Sequence, residues 1–358
     1  MKFPVGYAAN SRLRWTEALP WVAAIAVYFV LPEYLSLGAR VLTYILFALS
    51  LDLILGYAGI ITLGHAAFFG TGAYVTGVIS AKMGVTDPLL QLAASAAVAG
   101  LLGLVTGAVI LRTKGLAQLM LTLAIAALCL EVANKANSVT GGADGLSGVT
   151  IAPIFGHFNF DMYGKTAYVW CLALLFVGWW LVRRLIQSPF GVSLTGIREN
   201  NVRMNSIGAP VYLRLVLVYT FSAMLAGVAG ALLTQTNQFV GLNVLGFEPS
   251  GELLVMLILG GVGRLYGAFV GPLLYLIAQD YLAKQFPEYW YFGIGLLLVI
   301  VVLFARGGIL GISDAIIAKW RARSRKPQGT SAGAGNPPAK GPGNNADGKE
   351  ESQSEGKA

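Results

Sequence analysis

The stretch GYAGIITLGHAAFFGTGAYVTG, residues 56–77, is apolar and rich in small residues. Small side chains at helical spacing let helix backbones approach one another closely, as they do in membrane bundles. The part between Gly59 and Gly64 also predicts an unwound turn, which is tolerated at membrane depth only where protein covers it or where it lines a polar cavity. Two interpretations stay open. One is close helix packing, with His65 as a packed histidine, and the other is a cavity lined by Gly59, Thr62, Gly64 and His65.

A second glycine-rich stretch, LILGGVGRLYGAFVGPLLYL at residues 257–276, has the same character. Its glycines and Pro272 break and narrow helices, and Arg264 lies at the break between two of them. One broken element in each half of the chain favours a two-part transporter core with a central path. On that interpretation, Gly260 and Gly261 line the same path as the first stretch. The identity between the two halves is too low to establish a repeat.

The composition excludes an ordinary soluble protein. Of the 358 residues, 56% are hydrophobic and 12% are charged, against a globular average of about 25% charged. Apolar runs long enough to cross a bilayer of about 30 Å recur along the chain. The net charge of +8 comes from basic residues beside these runs, which indicates orientation in a membrane rather than nucleic-acid binding. Cys129 and Cys171 lie within apolar runs and are interpreted as small buried hydrophobes. The predicted fold class is therefore all-α, a polytopic integral membrane protein.

Ten apolar segments are candidate membrane spans, and one of them is short. The segment 251–263 is short for a full crossing, and in one alternative it pairs with 267–283 as a re-entrant or broken hairpin. The prediction is thus about 8–10 transmembrane helices, some of them broken at glycines. The candidate spans are 17–35, 41–58, 60–81, 89–111, 115–134, 166–184, 211–235, 251–263, 267–283 and 290–305.

The distribution of Lys and Arg predicts the orientation of the chain. With the N-terminus in the cytoplasm, twenty of these residues fall on the cytoplasmic side and five on the other side. Both chain ends are then cytoplasmic. No small-residue cleavage site follows the first apolar span, so we expect that span to remain as an anchor. The predicted parts are a cytoplasmic N-terminal segment 1–16, a transmembrane domain 17–318 with an outer loop 135–165 and a cytoplasmic loop 185–210, and a disordered cytoplasmic tail 319–358.

The sequence contains no recognisable enzyme constellation. Its two histidines, His65 and His157, fall at opposite membrane faces in the predicted topology and cannot share a metal ion. Two short matches to phosphate-binding loops lack a required glycine or hydroxyl residue. We therefore expect no catalytic residue, metal or cofactor in this chain. Asp52 is the deepest acidic residue, and it is either a hydrogen-bonded structural carboxylate or the coupling residue of an ion-driven transporter.

Four stretches of the chain, taken in order, carry a resemblance to a known family. They are GYAGIITLGHAAFFGTGAY, TGGADGLSG at 140–148, IRENNVRMNSIG followed by LAGVAGAL at 225–232, and ELLVMLILGGVGRLYGAFVGP at 252–272. Together they closely resemble the Liv-type permeases of bacterial ABC importers for branched-chain amino acids, and the LivM-like branch in particular. The resemblance covers roughly residues 40–305.

This resemblance implies a non-enzymatic, multi-pass permease in the lipid of the bacterial inner membrane, with no nucleic-acid partner. The implied partners are a second permease subunit, two ATPase subunits that bind ATP and Mg²⁺, and a periplasmic solute-binding protein. The implied cargo is a branched-chain or related hydrophobic amino acid. Within the family, urea or a short amide is the alternative cargo. Outside it, an ion-coupled secondary transporter is the alternative function.

The resemblance makes residues 185–210 a coupling loop, whose short helix would sit in a groove of the ATPase. The candidate coupling residues are Ile197, Arg198, Glu199, Asn200, Asn201, Arg203, Met204 and Gly208. One helical stripe, interrupted by Asn201, holds Leu194, Ile197, Met204, Gly208 and Val211. Family loops commonly carry a glutamate and then two alanines where this chain has Asn201, Arg203 and Met204. Two interpretations stay open: the helix seats less closely and coupling is weaker, or the ATPase partner has a groove that matches these side chains. Arg264 likewise stands where a small hydroxyl residue is usual.

The motif TGGADGLSG lies in the outer loop 135–165. Its glycines predict tight turns, and Asp144 can cap a turn. The resemblance places Gly141, Gly142, Asp144 and Gly145 on the periplasmic side, facing the binding protein or an outer gate. The alternative is a turn with no partner.

Overall fold

The described part of the chain is mainly α-helical. The computed structural model describes residues 15–153, 164–304, 308 and 309. Within these residues there are thirteen α-helices and no strand, and Leu146 and Val240 form an isolated β-bridge. The N-terminal segment 1–16 is described only at its last two residues, while the tail 319–358, His157 and part of the outer loop lie outside the described residues.

The α-helices follow the predicted spans closely. In chain order they are α1 (Trp15–Val30), α2 (Leu35–Asp52), α3 (Ala66–Ala81), α4 (Pro88–Ile110), α5 (Leu116–Lys135), α6 (Asn137–Thr140), α7 (Lys165–Gln187), α8 (Pro189–Glu199), α9 (Asn201–Ser206), α10 (Val211–Asn237), α11 (Phe247–Gly260), α12 (Gly267–Gln285) and α13 (Trp290–Phe304). Each predicted span corresponds to one of these helices, which confirms the all-α polytopic class.

Five described segments are long and apolar enough to cross a membrane, judged by length and composition. These segments are Pro32–Tyr57, which contains α2, and the helices α4, α5, α7 and α10. The remaining predicted spans are present as α1, α3, α11, α12 and α13. α2 lies at the centre of the bundle, where every residue from Val41 to Ile54 is buried. A helix that is hydrophobic on all sides belongs in such a position.

Small residues bring the central helices close together, as the sequence predicts. α10 packs against α2, α3 and α4. A Cβ added at Gly72 of α3 would lie 2.5 Å from the Cα of Gly227 in α10, and one added at Gly107 of α4 would lie 2.8 Å from the Tyr219 ring. Because no side chain fits in these contacts, glycine is required at both positions.

The first glycine-rich stretch is unwound over residues 58–65, here called the first break. α2 ends in a π-helical turn, Leu53–Tyr57, and α3 begins only at Ala66. The predicted unwound turn is therefore confirmed, whereas the expectation of a helix from residue 60 is wrong. Gly59, with φ +74°, supports the turn. The amide N–H groups of Leu63 and Ala66 donate to side-chain hydroxyls of other helices, which replace the missing helical bonds.

The second glycine-rich stretch forms a tight helical hairpin. α11 and α12 pack against each other and are joined by residues 261–266, here called the second break. Gly261 and Gly263 adopt φ values of +113° and +76° there. A Cβ added at Gly260 would lie 2.7 Å from the carbonyl carbon of Gly267, which explains the small residues on both sides. The predicted pairing of 251–263 with 267–283 is confirmed, and whether the pair crosses the membrane stays a prediction.

The outer loop is hydrogen-bonded to the segment that follows α10. Gly141, Gly142 and Gly145 all have positive φ, which confirms the predicted tight turns. Leu146 exchanges two backbone hydrogen bonds with Val240, of 2.7 and 3.1 Å. Asp144 is exposed in the 3₁₀ turn Gly142–Asp144. The loop therefore presents Asp144 at its surface, while residues 154–163 lie outside the described part.

Candidate functional site

The coupling loop folds as two short helices rather than one. Ser188 caps α8, because its Oγ accepts a hydrogen bond from the Gly191 N–H at 3.4 Å. α8 stops at Glu199, and Asn200 is extended, with φ −155° and ψ 95°. The Asn200 Oδ1 accepts from the Arg203 N–H at 2.9 Å and so starts α9. The expected single helix is therefore wrong, because an asparagine in the middle of the loop acts as an N-cap.

The apolar stripe of the coupling loop faces the chain's own helices. Leu194 and Ile197 of α8 are 0% and 4% exposed. Met204 of α9 packs onto Gly196, where an added Cβ would lie 2.9 Å from the Met204 Sδ. Val211, the last member of the stripe within α10, is also buried. Leu194, Ile197 and Val211 thus anchor the loop to the transmembrane domain, whereas Gly208 of the stripe is exposed. The surface left for a partner is the one opposite to the buried residues.

That opposite surface combines charged, amide and apolar side chains. Of the candidate coupling residues, Arg198, Glu199, Asn200, Arg203 and Gly208 are exposed, and so are the neighbouring Val202, Asn205, Ser206 and Ile207. Asn201 and Met204 are partly buried, and only Ile197 of the candidate coupling residues is buried. The side chains of Val202 and Ile207 are 76% and 70% exposed. Neither is among the sequence candidates, although two apolar residues within a polar loop were a usable signal. Exposed apolar groups beside charges are typical of protein interaction sites.

Arg198 reaches back from the end of α8 to both breaks. Its Nη1 donates a hydrogen bond to the carbonyl oxygen of Gly56, in the π-helical turn that leads into the first break. A Cβ added at Gly59 would lie 2.9 Å from the Arg198 Cγ, and one added at Gly263 would lie 3.0 Å from the Arg198 Nη1. One side chain of the coupling loop therefore contacts both glycine-rich stretches.

Asp52 connects α2 to the second break at the same place. It is 1% exposed, and its Oδ1 accepts a hydrogen bond of 2.7 Å from the Gly263 N–H. A Cβ added at Gly56 would lie 2.7 Å from the Gly263 Cα, so the two stretches are in backbone contact. This geometry supports the interpretation of Asp52 as a hydrogen-bonded structural carboxylate. We call Asp52, Gly56, Gly59, Arg198 and Gly263 the arginine joint.

The predicted path residues lie in or beside the two breaks, and most are covered by the chain itself. Gly59 is exposed, whereas Thr62, Gly64, His65, Gly260 and Gly261 are buried. A Cβ added at Gly64 would lie 2.8 Å from the carbonyl carbon of Thr122 in α5. The His65 Nε2 lies 2.8 Å from the Ser50 Oγ. The described structure thus packs His65 against α2, and the lining of a path by these six residues stays a prediction.

The first turns of α3 and α11 meet beside the first break. The Ala66 N–H donates to the Ser250 Oγ at 2.9 Å. Helix N-termini carry partial positive charge, so a hydroxyl oxygen placed between two of them is favourably situated. Sequence reasoning missed Ser50, Thr122 and Ser250, because a hydroxyl residue in a mainly apolar helix gives no sign of which residue it will bind.

The sequence is similar to known membrane permeases. Residues 34–302 match the family model described as "Branched-chain amino acid transport system / permease component". The high-affinity branched-chain amino acid transport system permease protein LivM of Salmonella typhimurium is 24% identical over 319 residues, covering 82% of this chain and 73% of that protein. LivM of Escherichia coli is 25% identical, covering 81% and 73%. LivH of Escherichia coli is also 25% identical, covering 75% and 91%. No solved structure gives a significant match.

Proposed function

Because this chain belongs to the branched-chain amino acid transport system permease family, we propose that it is the transmembrane permease subunit of an ATP-driven ABC importer. The cargo is a branched-chain or related hydrophobic amino acid, as the names of the relatives suggest. ATP and Mg²⁺ bind to separate ATPase subunits, and this chain performs no covalent chemistry. The observation that carries the proposal is the outward surface of the coupling loop, which lies opposite to the buried face of α8.

This surface has the composition of a docking site. In water, Val202 and Ile207 expose apolar area, and fully burying such side chains contributes about 1.5–3 kcal/mol each. Glu199 and Arg203 beside them are exposed and would give polar contacts at the rim. An ATPase groove that buries the two apolar side chains and pairs the charges fits this arrangement. Displacement of the loop by ATP binding would then shift the permease between two packings.

The remaining partners follow from the relatives and from the charge distribution. Both LivM and LivH of Escherichia coli match this chain, which supports a second, related permease as the partner subunit. The excess of Lys and Arg on one side supports the bacterial inner membrane, with the coupling loop in the cytoplasm. The outer loop, with Asp144 exposed, then faces the periplasmic binding protein.

A second candidate function is ion-coupled transport by this chain alone. Asp52 is buried, and within the described residues its Oδ2 has no hydrogen-bond partner. Acidic residues at membrane depth mark ion pathways and proton relays. The hydrogen bond from Gly263 to its Oδ1 and the family membership favour the ATP-driven importer. Within the family, an importer of urea or a short amide differs only in cargo.

The test is purification of the tagged chain from its native membrane in mild detergent, followed by mass spectrometry and uptake assays in proteoliposomes. We expect to recover two ATPases and a second permease. We also expect ATP-dependent leucine uptake in the presence of the binding protein. Urea that competes with leucine would reassign the cargo. Uptake by the chain alone, abolished by an ionophore and by Asp52→Asn, would overturn the importer in favour of the ion-coupled transporter.

A further inference from the structure

The arginine joint connects the coupling loop directly to the two glycine-rich breaks. Gly56 lies in the π-helical turn Leu53–Tyr57 at the C-terminal end of α2. At such an end, carbonyl groups lack partners within the helix, and the helix dipole carries a partial negative charge. A guanidinium is the donor best suited to that position, because a charged donor makes a stronger hydrogen bond than a neutral one. The Arg198 bond to Gly56 is therefore a strong tie between α8 and the start of the first break.

Gly263 is held in the joint from two directions. Its N–H is bound by the Asp52 Oδ1 at 2.7 Å. The position that a Cβ would occupy lies 3.0 Å from the Arg198 Nη1 and 3.1 Å from the Gly56 oxygen. With no side chain at Gly56 or Gly263, nothing flexible separates the two backbones. A displacement of Arg198 therefore reaches both breaks together, since close-packed contacts shift as a unit rather than deform gradually.

We propose that Arg198 is the positioning residue that transmits displacement of the coupling loop to the first and second breaks. The inference rests on the proposed function, because it needs an ATPase to move the loop. A covalent route also exists, from α9 into α10, but it passes through Gly208, which has φ +80° and lies in open space. Such a glycine tolerates changes of backbone direction. The direct contact of Arg198 reaches both breaks without passing through this glycine.

The test is hydrogen–deuterium exchange on the complete importer in lipid nanodiscs, without nucleotide and with ATP, Mg²⁺ and vanadate. Peptides covering 197–208, 56–65 and 261–266 report the coupling loop and the two breaks. In the wild type, all three are expected to change exchange on trapping. In Arg198→Ala, the change in exchange at the coupling loop is expected to equal that of the wild type. The change at both breaks is expected to fall by at least half, and transport per ATP hydrolysed is expected to fall about tenfold.

Two further variants complete the test. Arg112→Ala, in the turn after α4, removes one arginine from the same predicted membrane face and is expected to behave as the wild type. Where Arg198→Ala does not assemble, Arg198→Lys keeps the charge but loses the planar guanidinium, and the same loss at both breaks is expected. Breaks that respond in these Arg198 variants as in the wild type would overturn the proposal. If no ATPase copurifies with the wild type, the proposed function itself fails.

Discussion

α8 and α9 are separated by a single residue, yet they lie in opposite environments. α8 buries Leu194 and Ile197 against the transmembrane domain, whereas α9 has no buried residue. The two helices therefore divide the work of the coupling loop. α8 fixes the position of the loop on the transmembrane domain. α9 and the adjoining Glu199 provide the surface that a partner would contact. Substitutions on the buried face of α8 should act on stability, and substitutions of the exposed side chains of α9 and of Glu199 should act on association and transport.

The largest expected effect is that of Leu194→Ala. Leu194 is fully buried, and truncation of a buried leucine leaves a cavity and costs about 2–5 kcal/mol. We expect a clearly lower thermal unfolding midpoint for the purified chain. Val192→Ala is the matched control, since Val192 belongs to the same helix and is 62% exposed; we expect a change within about 0.5 kcal/mol. An equal decrease of the unfolding midpoint in the two variants would contradict the distinction between the buried and the exposed face of α8.

A charge reversal at Glu199 is expected to have the next largest effect, and on transport alone. Glu199 is exposed at the end of α8, so Glu199→Lys should leave the amount of protein in the membrane unchanged. If the side chain meets a basic residue of an ATPase, uptake and ATPase stimulation should fall roughly tenfold, which corresponds to about 1.4 kcal/mol. Glu199→Gln removes the charge without reversing it, so its uptake should lie between those of the wild type and Glu199→Lys. Normal uptake with Glu199→Lys would exclude this surface from coupling.

Much of the helical fold is predictable from the sequence, because apolar length and glycine spacing act locally. The unwinding between Gly59 and Gly64 and the pairing of α11 with α12 both follow from such local signals. The contact of Arg198 with Gly56 and Gly263 was not predictable, since it joins residues far apart in the chain and depends on how α2, α8 and α11 pack. The stripe of the coupling loop was recognised from its period, but a period does not tell whether the apolar face meets a partner or the chain itself.

A smaller effect is expected from Val202→Ala on α9. Each buried CH₂ contributes about 0.8 kcal/mol, so losing two methyl groups in a partly closed groove should weaken ATPase binding by about 1 kcal/mol, or about fivefold. Titration of the purified ATPase against the permease in nanodiscs measures this affinity. The thermal unfolding midpoint should not change, because Val202 is 76% exposed. Unchanged affinity would mean that α9 presents its apolar side chains to something other than the ATPase.

The smallest expected effect is that of Asn200→Ala, which tests the boundary between the two helices. Asn200 makes its capping hydrogen bond to Arg203 at 2.9 Å, and removal of such a cap costs about 1 kcal/mol. The cost falls on α9 alone, because α8 ends one residue earlier and is held by its buried face. Amide exchange should therefore rise about fivefold over residues 201–206 and stay unchanged over α8. Asn200→Ser, which retains a capping oxygen, should restore the wild-type exchange. If α8 also loosens in Asn200→Ala, the two helices unfold as one unit, and the division between anchoring and docking does not hold.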